Sequence, residues 1–226
     1  MTAALADAGL DREIASSLLA SLDGAVPHQL PYPNWRLSRL FPDAMARALA
    51  AMPFTAPQIG GLSGRRELHN AYRHYFAGPV LDRMPVAREV ARAFQAPDVV
   101  RGFADLIGAQ LDRTFLRIEY ALDVDGFWLE PHTDLGVKAL TLLIQLSAEG
   151  QGDLGTDLYE RPGAWRDRAD FEWNGALLFV PSGDTWHGFE PRPIGGVRRS
   201  VIVNYVTADW RAGEQLAFPG EPVRLG

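Results

Sequence analysis

Five histidines occur in the chain, and His132 has an acid two residues on, in Glu130-Pro131-His132-Thr133-Asp134. At this aspartate content such a triplet arises by chance about 0.4 times, so alone it carries little. Its setting matters more. In an extended segment residues i and i+2 project from one face, so the His132 imidazole and the Asp134 carboxylate can meet one metal ion. A third ligand must come from elsewhere, and His187, in Asp184-Thr185-Trp186-His187-Gly188-Phe189, is the candidate. Two neutral imidazoles and a carboxylate form a facial set that leaves about three positions open on an octahedral ion. That suits Fe(II) with a chelating cosubstrate and dioxygen. Further on comes Gly196-Val197-Arg198-Arg199-Ser200-Val201, where Arg198 and Ser200 share a strand face.

Strands must carry these residues, and the second half of the chain has their period. The stretches 114–122, 137–147, 156–160, 177–181, 186–190 and 198–207 are short, β-branched or aromatic-rich, and separated by Gly, Pro, Asp or Asn. The first half is helical in period. Leu5, Leu10, Ile14, Leu18, Leu19 and Leu22 predict an amphipathic helix over 5–22, ended by Gly24. Pro27, Pro31 and Pro33 forbid helix in the link that follows, and a second helix is expected from Pro42-Asp43 to about Met52. Residues 66–77 and 86–94 repeat the helical period, and another helix is expected with Asp98 as its N-cap. The stretch Gly60 to Gly64 reads as a flexible loop. Helices first and strands afterwards favour an antiparallel barrel or sandwich with the helices packed outside it.

Composition bounds the rest. The 226 residues carry a formal charge of -6 and no cysteine. Thiolate zinc sites, cysteine nucleophiles and disulfide scaffolds are excluded, and the acidic balance argues against nucleic acid as a partner. No apolar run approaches the ~18 residues of a membrane span. Asp7 and Asp11 precede the first arginine, Arg12, the reverse of a signal peptide, so a cytoplasmic protein is expected. Without repeats or a linker, residues 1–226 read as a single domain. In it 1–112 give helical support and substrate-side loops, 113–207 the strand core and 208–226 a C-terminal extension. There is no Gly-x-x-x-x-Gly-Lys phosphate loop, and Gly61-Leu62-Ser63-Gly64-Arg65 misses the Gly-x-Ser-x-Gly elbow by its last residue.

The order His-x-Asp, a second His 55 residues on, then Arg-x-Ser resembles the Fe(II)- and 2-oxoglutarate-dependent oxygenases, the small prolyl-hydroxylase-like group above all. Residues 125–134 look like that family's strand into the first ligand pair, and 141–146 like the strand that follows. The match covers about residues 114–207. It implies a double-stranded β-helix, a jelly-roll of eight strands braced by helices. His132, Asp134 and His187 would hold Fe(II), and Arg198 would pair with the distal carboxylate of 2-oxoglutarate, assisted by Ser200. The planar guanidinium fork meets a carboxylate with two charge-assisted bonds, which lysine cannot do. Arg199 competes for that part, since a one-residue slip turns a side chain to the opposite face. Tyr120 and Gln145 occupy places where related proteins have further cosubstrate contacts.

Trp128, Lys138 and Arg65 are candidate substrate contacts; rim packing, a rim salt bridge and a solvated helix start are their plainer readings. His28, His69 and His74 read as structural or solvent-facing. The resemblance implies hydroxylation of an unactivated carbon of a small molecule, with O2 consumed and succinate and CO2 released. Asp134 favours hydroxylation over halogenation, because related halogenases lack that carboxylate. Nucleobase-repair members carry a second arginine where this chain has Asn204 and Tyr205. Two other classes stay open: a jelly-roll isomerase or dioxygenase without 2-oxoglutarate, and a non-catalytic jelly-roll binding module. Nothing in the sequence speaks to oligomeric state.

Overall fold

The computed structural model describes residues 2–58, 73–134, 136–146, 148 and 150–225. Five helices lie among them: α1 (Thr2–Asp23), α2 (Asp43–Ala50), α3 (Pro79–Arg83), α4 (Pro85–Gln95) and α5 (Pro97–Ile107). Three short strands, β1 (Val26–His28), β2 (Asn34–Leu37) and β3 (His74–Tyr75), precede the strand-rich half. That half comprises β4 (Phe115–Asp123), β5 (Leu129–His132), β6 (Lys138–Gln145), β7 (Asp157–Arg161), β8 (Ala164–Arg168), β9 (Gly175–Phe179), β10 (Trp186–Phe189) and β11 (Arg198–Val206).

These eight strands pair from the outside inwards: β4 with β11, β5 with β10, β6 with β9 and β7 with β8, all antiparallel. The ribbon is rolled into two sheets, β1-β2-β9-β6-β11-β4-β3 and β5-β10-β7-β8. This is the expected eight-stranded jelly-roll. The Pro-rich link, read only as non-helical, supplies β1 and β2, which extend the large sheet beyond β9.

Alternation along the large sheet separates two chemistries. Leu116, Ile118, Tyr120 and Leu122 of β4, with Val201, Val203 and Tyr205 of β11, join the helices in one apolar cluster. The helices are built for that face. Pro85 and Pro97 open α4 and α5 at a position that needs no backbone donor, and Val90, Phe94, Val99 and Phe103 are fully buried. Gly108, at φ 65°, ends α5 in the left-handed conformation that glycine adopts without cost. The other face of β4 and β11 presents Arg117, Glu119, Asp123, Arg198 and Ser200 to a cavity.

Two helix expectations are corrected. Of residues 66–77, those from 73 are described, and His74–Tyr75 is strand β3 on the edge of β4, not helix. Pairing with an open sheet edge overrides the helical spacing. Asp98 is not an N-cap: α5 starts at Pro97, and the Asp98 carboxylate accepts from the Val99 N–H inside the first turn. Gly60 to Gly64 lies outside the described residues. No described helix is long and apolar enough to cross a membrane.

The small sheet is tied together by Asp157, fully buried on β7. Its carboxylate accepts from Arg168 Nε at 2.7 Å, Arg192 Nη1 at 2.6 Å, Trp165 Nε1 and the Glu190 N–H. Burial pushes the carboxyl up, but Arg192, the Glu190 N–H and Arg168 outweigh it and hold Asp157 below the usual carboxylate range. A depressed folded pKa gives stability that is present above the unfolded value and lost as pH falls through the folded one. Asp157→Asn is expected to cost about 3 kcal/mol at pH 7 in denaturant melts. The gap to wild type should narrow from about pH 4 downwards, and an equal gap at pH 7 and pH 3 contradicts the assignment.

Candidate active site

His132 ends β5 and His187 sits in β10, and the two are direct register partners. Their ring centroids are 4.4 Å apart. Asp134 follows two residues after His132, and one ligand atom from each of the three lies within 4.8 Å of the others. Each imidazole is oriented by backbone: His132 Nδ1 lies 2.9 Å from Glu130 O, and His187 Nδ1 lies 2.9 Å from Thr185 O. A carbonyl can only accept, so Nδ1 carries the proton and Nε2 the lone pair that a metal takes. Gly188 allows the strands to come this close, because a Cβ there would stand 2.7 Å from Leu129 O.

The Asp134 carboxylate is buried and held at both oxygens. Lys138 Nζ donates to Oδ1 at 2.6 Å and Thr141 Oγ1 to Oδ2 at 2.7 Å. A bulge explains how Lys138 arrives there. Tyr205 pairs with Leu140 but Val206 with Lys138, so Ala139 is an extra residue and everything before it changes face. Lys138 therefore forms a buried pair inside the cavity, not a salt bridge on its rim.

From Asp134 a hydrogen-bonded chain crosses the cavity. Asn204 Nδ2 donates to Thr141 Oγ1, Arg117 Nη1 to Asn204 Oδ1 and Arg117 Nη2 to Glu119 Oε2. Arg73 bridges Glu119 at 3.2 Å and Asp123 at 2.8 Å, and Arg198 Nη1 donates to the other Asp123 oxygen at 2.6 Å. Burial would push the Glu119 carboxyl up, but Arg117, Arg73 and Lys138 outweigh it and hold it low. Arg117 lies over the rings of Tyr75 and Trp210, and Arg198 over those of Phe171 and Phe189.

Of the residues singled out by sequence, His132, Asp134, Lys138, Gln145, His187, Arg198 and Ser200 line this one cavity. Gln145 and Ser200 are register partners, and Gln145 Oε1 also accepts from the Glu172 N–H. Arg198 is on the cavity face. Arg199 is on the helix face beside Tyr120, whose hydroxyl burial pushes up to about 12 against the opposing pull of Arg199. Tyr120 is a correction: β4 alternation turns it into the helix-side core, where its hydroxyl donates to Leu49 O. Trp128 is half-buried in the β4–β5 loop and does not line the cavity. Arg65 lies outside the described residues.

Sequence reasoning passed over Arg73, Arg117, Glu119, Asp123 and Thr141. A signal existed for three of them: Arg117, Glu119 and Asp123 stand at every second or fourth position of an otherwise apolar strand.

The donor set fits a divalent metal with open positions better than a closed structural site, because three converging ligands leave coordination incomplete. Thr141→Val keeps the volume but removes the donor to Asp134 Oδ2. It is expected to weaken Mn(II) or Fe(II) binding by roughly tenfold or more, read by metal titration, and unchanged affinity shows that Thr141 does not hold the ligand.

No family model matches the chain, and no curated protein matches it. Solved structures do. A prolyl hydroxylase from Trichoplax adhaerens, in complex with a hypoxia inducible factor oxygen degradation domain peptide fragment, aligns over 87% of this chain and 90% of its own, with 12% identity and a TM-score of 0.54. HygX from Streptomyces hygroscopicus, with nickel and 2-oxoglutarate bound, aligns over 78% and 83%, with 12% identity and a TM-score of 0.50. SnoN, the non-heme alpha ketoglutarate dependent epimerase from nogalamycin biosynthesis, aligns over 94% and 93%, with 16% identity and a TM-score of 0.51. At such identities the likeness is one of architecture: the chain shares the helix-braced jelly-roll fold of these solved structures.

Proposed function

We propose that the protein is an Fe(II)- and 2-oxoglutarate-dependent oxygenase that hydroxylates an unactivated carbon of a small molecule, consuming O2 and releasing succinate and CO2. One observation carries the reading: two imidazoles and a carboxylate converge in the same cavity into which the buried guanidinium of Arg198 is turned. In this reading His132, Asp134 and His187 hold the iron, while Arg198, with Gln145 and Ser200 beside it, receives the distal carboxylate of 2-oxoglutarate. The bound iron and cosubstrate supply the oxidising chemistry.

The chain's own residues supply placement. Lys138 and Thr141 fix the Asp134 carboxylate, and the two backbone carbonyls fix the imidazoles, so the three ligands need little rearrangement to meet an ion. Phe127 and Phe189 pack against each other in the cavity lining, with Phe189 lying under Arg198. The Arg198–Asp123 pair is at most a tenth exposed, so any ionic contact made there is strengthened. HygX holds 2-oxoglutarate in the same fold, which supports the cosubstrate. The likeness to SnoN, an epimerase, makes epimerisation the second reading of the same ligand set.

Anaerobic addition of Fe(II) and then 2-oxoglutarate is expected to give a visible charge-transfer band in the wild type. His132→Ala should abolish the band and Arg198→Ala weaken cosubstrate binding about 100-fold. Arg199→Ala should spare it. A wild type without the band, or without succinate formation under oxygen, overturns the reading.

A further inference from the structure

The anchor for the cosubstrate is already occupied by the protein. Arg198 Nη1 donates to Asp123 Oδ2 at 2.6 Å and Nε to Leu154 O at 2.7 Å, with the rings of Phe171 and Phe189 within 5 Å of the guanidinium. Asp123 and Arg198 are register partners on β4 and β11, so the pair is built into the sheet. Asp123 has a second partner: Arg73 Nη1 donates to its other oxygen at 2.8 Å, and the Arg73 guanidinium lies over Phe127. All three side chains are at most a tenth exposed. A dicarboxylate entering here brings a second negative charge up to Asp123 at low dielectric. Two carboxylates cannot share Arg198 at little cost unless one of them is held by another cation.

Resting on the oxygenase reading, we propose that Asp123 is an internal counter-ion that holds Arg198 in the cosubstrate-free site and passes to Arg73 when the distal carboxylate of 2-oxoglutarate arrives, so that this pair sets cosubstrate affinity. Asp123 and Arg73 are thus positioning residues acting through Arg198. Glu119, whose Oε1 forms an ion pair with Arg73 Nε at 3.2 Å, keeps Arg73 oriented towards Asp123 throughout.

The test is anaerobic titration of the Fe(II)-loaded full chain with 2-oxoglutarate, followed by the charge-transfer band, with thermal melts to establish folding. Asp123→Asn removes the competing charge and keeps the shape, so 2-oxoglutarate should bind about tenfold tighter. Arg73→Gln leaves Asp123 with Arg198 alone, so 2-oxoglutarate should bind about tenfold more weakly. The double variant should return close to the affinity of Asp123→Asn, a non-additivity expected only if Arg73 acts through Asp123. Under turnover the changes should fall on KM for 2-oxoglutarate and leave kcat largely unmoved.

A purely structural role for Asp123 predicts the opposite sign, because Arg198 would lose its support and bind the cosubstrate less well. Equal or weaker binding in folded Asp123→Asn therefore overturns the proposal while the wild-type band keeps the oxygenase reading intact. Should Asp123→Asn not fold, Arg73→Gln decides alone, and unchanged or tighter binding there overturns the proposal. A wild type that gives no band removes both.

Discussion

The pairing of β5 with β10, whose register shifts between His187 and Phe189, is the constraint on which the rest depends. It sets His132 opposite His187, and Gly188 lets the backbones come close enough for both imidazoles to point at one place. Neither strand could hold that register alone, being four residues long. β7 pairs with β10 on its other side, and the buried Asp157 carboxylate ties β7, β8 and the segment after β10 together. The large sheet does the complementary work. It buries its apolar face under the helices and so leaves one face free to carry charge.

The cost of that arrangement is a set of ionic groups out of water. Arg73, Arg117, Lys138 and Arg198 face Glu119, Asp123 and Asp134, nearly matched in number and joined by hydrogen bonds. A buried charge without such a partner would destabilise the fold by several kcal/mol, which explains why these groups are linked into one chain. Among these described residues the excess is a single positive charge.

The nearness of His132 to Asp134 and the shared cavity face of Arg198 and Ser200 were legible in the sequence because they rest on the short-range i and i+2 rule. His187, 55 residues on, lies beyond that rule and rests on the family resemblance. Tyr120 was placed by its likeness to positions in related proteins, whereas strand alternation sets it one residue from the cavity-facing Glu119 and Ala121 and so on the opposite face. Lys138 escaped the i and i+2 rule, since one extra residue, Ala139, reverses alternation and no pattern in the stretch announces a bulge. The helix expected over 66–77 failed where long-range pairing with β4 decides the conformation of His74 and Tyr75. Arg73 joins the cavity through that pairing. What local spacing encodes was readable, and what a distant strand imposes was not.

The outside-in order of pairing has a kinetic corollary. Because β4 closes against β11, and β5 against β10, the side chains of His132, Asp134 and His187 come together only through pairings between distant parts of the chain. Contacts between residues so distant along the chain form late and slowly. On the oxygenase reading a metal ion would meet its full ligand set only once these pairings have formed, unlike the zinc of a finger. It would then stabilise the folded state by mass action, raising the apparent melting temperature with the logarithm of its concentration.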